Sequence, residues 1–153
     1  MPEVKGRAVR LDLIGLFLAG FINTFLAPFF AVVVFGPGTP AGQDNLLQRV
    51  AWIADHPDRW QGGWLFWFAV TLSFAWSYYA LGRHLQAARP WTALAIGLAL
   101  IAAAVDLVGV VVNMTVLPEL ASALVSTGGG RDPSLQVVFL ATESLTNALT
   151  NVT

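Results

Sequence analysis

The chain has 153 residues, of which 56% are hydrophobic and 11% charged, with eight Lys and Arg against nine Asp and Glu. A soluble domain carries about 25% charged residues. A chain this poor in charge cannot clothe a water-facing surface, so lipid must replace water over much of it. The net charge of −1 gives no electrostatic footprint for nucleic acid, and the absence of cysteine excludes disulfides, thiolate metal sites and thiol nucleophiles.

Leu11 to Phe35 is an apolar run whose one charge is Asp12. It is long enough to span a hydrocarbon core of about 30 Å with some tilt. Lys5, Arg7 and Arg10 precede it, as in a signal peptide, but the run far exceeds an h-region of about 7–15 residues and no small-x-small cleavage site follows, so it reads as a signal anchor. Gly36-Pro37-Gly38-Thr39-Pro40 ends it. Asp44 is placed to cap a short helix to about His56, with Leu46, Val50, Ile53 and Ala54 on one face. That helix either lies on the membrane surface or packs on the bundle as a loop helix.

Trp64 to Leu85 forms a second span, in a region from Trp60 to Tyr79 that holds nine aromatics. Trp60 and Trp64 fall where an interfacial belt is expected. Arg83, His84 and Arg89 mark its exit. Trp91 to Leu117 is a third span, broken by Pro118, and the loop Gly128-Gly129-Gly130-Arg131-Asp132-Pro133 leads to a more polar segment, Ser134 to Thr153. The expected fold is all-α and integral to the membrane: one domain over 1–153, with three to four transmembrane helices at about 11–35, 64–85, 91–117 and 134–153 and a loop helix at about 44–56. The N-terminus and the loop between the second and third spans hold five Lys and Arg against three in the other loops. By the positive-inside rule the N-terminus is cytoplasmic, in the inner membrane of the cell. The last segment reaches Thr153 with no basic flank, so the native chain is expected to continue.

Helical periodicity separates faces. In the first span Phe17, Phe21, Phe25 and Phe29 climb one side, and Gly15, Ala19, Asn23 and Ala27 the other. Small residues spaced by four let helices approach closely in lipid. Ala69, Ser73, Ser77 and Ala80 make a similar face in the second span, continued by His84. The third carries Ala95, Ala99, Ala102, Asp106, Gly109 and Asn113 within roughly 80° of arc. The last segment gathers Gln136, Glu143, Thr146, Asn147, Thr150 and Asn151 on one side, which must face the bundle, a wet cavity or the membrane surface.

Asp106 is the sharpest signal, because an Asp near the bilayer centre costs about 2.5–3.5 kcal/mol on insertion scales. With Glu143 as partner it suits a proton relay or ion site. Alternatively it is protonated and bonds to Asn113, Asn23 or Ser73 as interhelical glue. Asn147 belongs to the same prospective network. The two histidines, His56 in a loop and His84 at a span end, fall on opposite predicted sides, which disfavours a haem or metal centre; His84 retains the option of holding a pigment or polar ligand at the interface. Asp44, Asp55, His56 and Asp58 read as solvated surface rather than a cation loop. No Ser-His-Asp arrangement, His-Glu-x-x-His motif or phosphate loop is present, and the glycosylation patterns at Asn113 and Asn151 lie at membrane depth.

The first span, Gln43-Asp44-Asn45, the stretch Leu81-Gly82-Arg83-His84-Leu85, the third span with Asp106 and the segment Glu143 to Asn147 together resemble a group of uncharacterised bacterial multi-pass membrane proteins classed as a domain of unknown function. The resemblance implies further helices beyond this chain and transfers no activity. Three functions remain in view: a structural or accessory subunit of a larger membrane complex, with lipid and other membrane subunits or further copies of itself as partners; a proton-coupled small-molecule or ion transporter using Asp106 and Glu143; and an intramembrane enzyme on a lipid or quinone, for which Asp106 lies too deep. The sequence assigns no cofactor.

Overall fold

The computed structural model describes residues 2–84, 89–128 and 132–150, with side chains from Arg10 to Arg83 and from Pro90 onward within those ranges. Among the described residues the chain is all-helical, with no strand. The first helix runs as α1 (Pro2–Phe21), a π turn (Ile22–Leu26) and α2 (Ala27–Val33). The widened turn falls where the regular ladder is already disturbed. Pro28 brings no N–H to it, while Asn23 Nδ2 donates to Ala19 O at 2.8 Å. A 3-10 turn at Gly36–Gly38 follows. Arg59 Nη2 donates to Val33 O at 2.7 Å, satisfying a carbonyl that the end of α2 leaves open.

The loop helix is α3 (Leu46–Asp55). Its cap is Asn45, not Asp44: Asn45 Oδ1 accepts from Leu47 N at 3.0 Å and Gln48 N at 3.3 Å. Pro57 begins α4 (Pro57–His84), where its preset φ suits the first helical position. The next helix, α5 (Arg89–Ser126), is uninterrupted over 38 residues. Pro118, expected to break it, lies inside it and is buried. The turns on either side are gripped by packing: Leu117, Ala121 and Leu124 share a core with Val50, Ile53 and Phe139. Gly128, at φ 93°, ends the helix in the left-handed region. Asp132 Oδ1 then accepts from Ser134 N and Leu135 N and caps α6 (Pro133–Thr150).

Neighbouring helices run antiparallel, and their contacts set the register. Asp12 meets Arg83, Asn23 meets Ser73 and Phe30 stacks on Phe66 between the first helix and α4. Thr71 meets Asp106 and Trp60 meets Asn113 between α4 and α5. Asn113 meets Thr146 between α5 and α6. Three stretches, roughly Asp12–Phe35, Trp60–Arg83 and Thr92–Asn113, therefore lie side by side. Each has 22 to 24 residues, about 33–36 Å at helical rise, which matches one bilayer core. They lie within the three candidate spans long and apolar enough to cross a membrane, Arg10–Val33, Pro57–Arg83 and Pro90–Ser126, apart from the last two residues of the first stretch.

From Asn113 to Ser126, α5 continues about 20 Å past the Trp60 level. Around this projection pack α3 and most of α6. The chain is thus a bundle of three candidate membrane spans carrying a helical cap at one end, and α6 lies mainly in that cap rather than beside the spans. The loop helix is part of the cap: Arg49, Val50 and Ile53 are buried, which resolves the choice between membrane surface and bundle in favour of the bundle.

Candidate intramembrane polar site

The buried seam of α5 is Ala103, Asp106, Val110, Asn113, Leu117, Ala121 and Leu124, spaced by three and four. Asp106 and Asn113 sit on it as read from the sequence, and Gly109 beside it. Ala99 and Ala102 are half-buried. Ala95 is exposed: it borders a shallow groove with Phe74 and Tyr78, short of the level at which α6 covers α5. Gly109 marks a close approach of helices, since a Cβ there would stand 2.8 Å from Thr150 Cγ2 and 3.1 Å from Leu149 Cβ.

Asp106 is 1% exposed and is held by Thr71, whose Oγ1 is in hydrogen-bond contact with Asp106 Oδ2 and also with Trp67 O at 3.2 Å. The second oxygen, Asp106 Oδ1, has no partner. Two turns along α5, Asn113 Oδ1 accepts from Thr146 Oγ1 at 3.1 Å, while Trp60 Nε1 donates to the Asn113 carbonyl at 2.7 Å. Trp60 is therefore a buried strut between α4 and α5 rather than an interfacial belt residue; Trp64 is buried as well. Asn23 Nδ2 donates to Ser73 Oγ at 2.9 Å and pins the first helix to α4, apart from the Asp106 contact.

Glu143 does not pair with Asp106. It forms a two-pronged ion pair with Arg49 of α3, at 2.5 Å from Nη1 to Oε1 and 3.1 Å from Nη2 to Oε2, with the side chains 6% and 12% exposed. The register explains why: Thr146 is level with Asn113, so Glu143 lies nearly a turn farther into the cap, while Asp106 lies two turns in the opposite direction, among the spans. Asn147 is exposed and stands at the rim of a cavity next to Glu143. The side chain of His84, proposed to hold an interfacial ligand, lies outside the described residues, although α4 ends there.

On the first helix, Ala19 and Ala27 are buried and Gly15 half-buried, with Gly15 against the Trp76 indole, while Phe17, Phe21, Phe25 and Phe29 point outward. Sequence reading missed Arg49. The signal was there: Arg49 shares the face of Leu46, Val50 and Ile53, and a cation on the buried face of an amphipathic helix requires a buried anion.

The cavity, of about 400 Å³, lies where the cap meets the spans. Its walls are the Phe35, Trp60, Trp64 and Trp67 rings, with ring centroids 4.8–6.3 Å apart, and it reaches Asn113 and Glu143. No protein-family model, curated protein or solved structure matches the chain.

Proposed function

We propose that this multi-pass membrane protein is a structural or accessory subunit of a larger membrane complex, in the inner membrane with its N-terminus in the cytoplasm. The observation that carries the reading is the use of the buried polar groups. Asp106 ties α5 to α4 through Thr71, Asn113 ties α5 to α6, Asn23 ties the first helix to α4, and Glu143 ties α6 to α3. Each contact joins two helices, which is what polar side chains do as glue in lipid. A relay needs carboxylates that exchange protons with each other or with water. Here Glu143 is engaged by a guanidinium and is separated from Asp106 by more than two turns of helix. The outward Phe ladder of the first helix gives such a subunit an apolar face for lipid or a neighbour.

The test is extraction of the native protein in a mild detergent, size exclusion, and identification of everything in its peak by mass spectrometry and absorbance. Other membrane proteins at fixed stoichiometry support the subunit reading. A protein migrating alone, together with loss of solute uptake in Asp106→Asn, supports the transporter instead.

A further inference from the structure

Beside the cavity between cap and spans lie two buried N–H groups with nothing to bond. Trp64 is 8% exposed and its Nε1–H has no hydrogen-bond partner. Asn113 is 2% exposed; one end of its carboxamide takes the Thr146 hydroxyl, and the other end, Nδ2, is unpaired. Both residues line the cavity. A buried donor left unsatisfied costs far more than a satisfied one, so native proteins rarely keep two beside one cavity without a use for them. The neighbouring Trp60 shows the contrast, because its Nε1–H is satisfied by Asn113 O.

We propose that this cavity binds the carbonyl oxygen of a membrane amphiphile, with Trp64 Nε1–H and the free end of the Asn113 carboxamide as donors and the aromatic rings as the apolar wall. Three features favour this chemistry over others. The unmet groups are N–H donors, which call for an acceptor. The Glu143 carboxylate is neutralised by Arg49, which removes the draw for a cation. The cavity sits at the end of the three spans, the depth at which phospholipid ester carbonyls lie and to which the ring of a lipid-soluble quinone can rise. At about 400 Å³ it holds the carbonyl-bearing part of either, with the chain left in the bilayer. The site stands independently of the subunit reading, since a lone protein could hold such a molecule equally well.

The experiment uses the full chain, purified and delipidated in a maltoside detergent, which has no carbonyl. It is titrated with a short-chain diacyl phosphatidylcholine, with the diether analogue of the same lipid, and with decylubiquinone; thermal unfolding is the readout. Saturable stabilisation by the ester lipid, with the diether three- to tenfold weaker for lack of one acceptor, assigns a phospholipid. Saturable stabilisation by the quinone alone assigns a quinone. Equal effects of ester and diether with none from the quinone overturn the proposal, as does the absence of saturation throughout. These comparisons need no variant. Trp64→Phe adds a second check: it keeps a ring and removes the donor, so it should weaken the carbonyl ligand three- to tenfold and leave the diether unchanged. A folded Trp64→Phe protein that binds the carbonyl ligand as tightly as wild type also overturns the proposal.

Discussion

Glu143→Leu should be among the most damaging single substitutions in the chain. It leaves Arg49 buried at the base of α3 with no counter-charge, and Arg49 Nε already has no partner. Breaking a buried ion pair from one side costs about 3–5 kcal/mol, whereas an exposed pair is worth about 0–1 kcal/mol. The side-chain exposures of 6% and 12% place this pair in the first class. The double replacement Arg49→Met with Glu143→Leu removes both charges and fills the space with apolar atoms. It should recover most of the loss, because such exchanges are often neutral or stabilising by about 1–4 kcal/mol. The assay is unfolding by SDS in mixed micelles, followed by far-UV circular dichroism, as a double-mutant cycle over wild type, the two single variants and the double. A loss below about 1 kcal/mol in Glu143→Leu would show a solvent-screened pair and refute the account of α3 and α6 as locked together in the cap by a buried charge pair.

Other perturbations separate the remaining contacts. Asp106→Asn can keep the bond to Thr71 and loses a carboxylate oxygen that has no partner, so its stability should stay within about 1 kcal/mol of wild type by the same unfolding assay. Gly109→Val should destabilise by about 1–3 kcal/mol, because the new side chain meets α6 at Leu149 and Thr150. Gly97→Ala meets open space in the same helix and should stabilise by about 0.5–1 kcal/mol. Because the chain has no cysteine, single cysteines report topology without background. On the proposed orientation, Ala41→Cys and Ser126→Cys react with an impermeant maleimide from outside the cell, and Gln86→Cys only after the membrane is opened.

The spans were legible because each is a long apolar run closed by Gly, Pro or charge, and those signals are local. The faces of the first helix were legible for the same reason: Gly15, Ala19, Asn23 and Ala27 repeat every four residues, so any partner must take that side. Arg49 and Glu143, 94 residues apart, carry no local sign of each other. The face it shares with Leu46, Val50 and Ile53 marks Arg49 as buried but does not name its partner, and Glu143 reads as a partner for Asp106 until the register of α6 on α5 is known. The same register explains why Glu143 was matched to the wrong partner: both carboxylates lie on inward faces, but at depths that only the Asn113–Thr146 contact reveals. Pro118 was misread as a break because a lost backbone bond is visible in sequence, while the packing of Val50, Ile53 and Phe139 that holds the helix across it is not. Trp60 and Trp64 carry the composition of an interfacial belt, and their burial comes from contacts distant in sequence: Trp52 of α3 packs on Trp60, and Phe35 on both.

The central claim is that the buried polar residues hold helices together within a subunit, and native extraction tests it most directly. Membranes from the source cell are solubilised gently, the protein is isolated by size exclusion, and its peak is resolved by mass spectrometry. The expected result is a set of other membrane proteins at constant ratio across the peak, unchanged in a strain carrying Asp106→Asn. A peak containing this protein alone would contradict the claim.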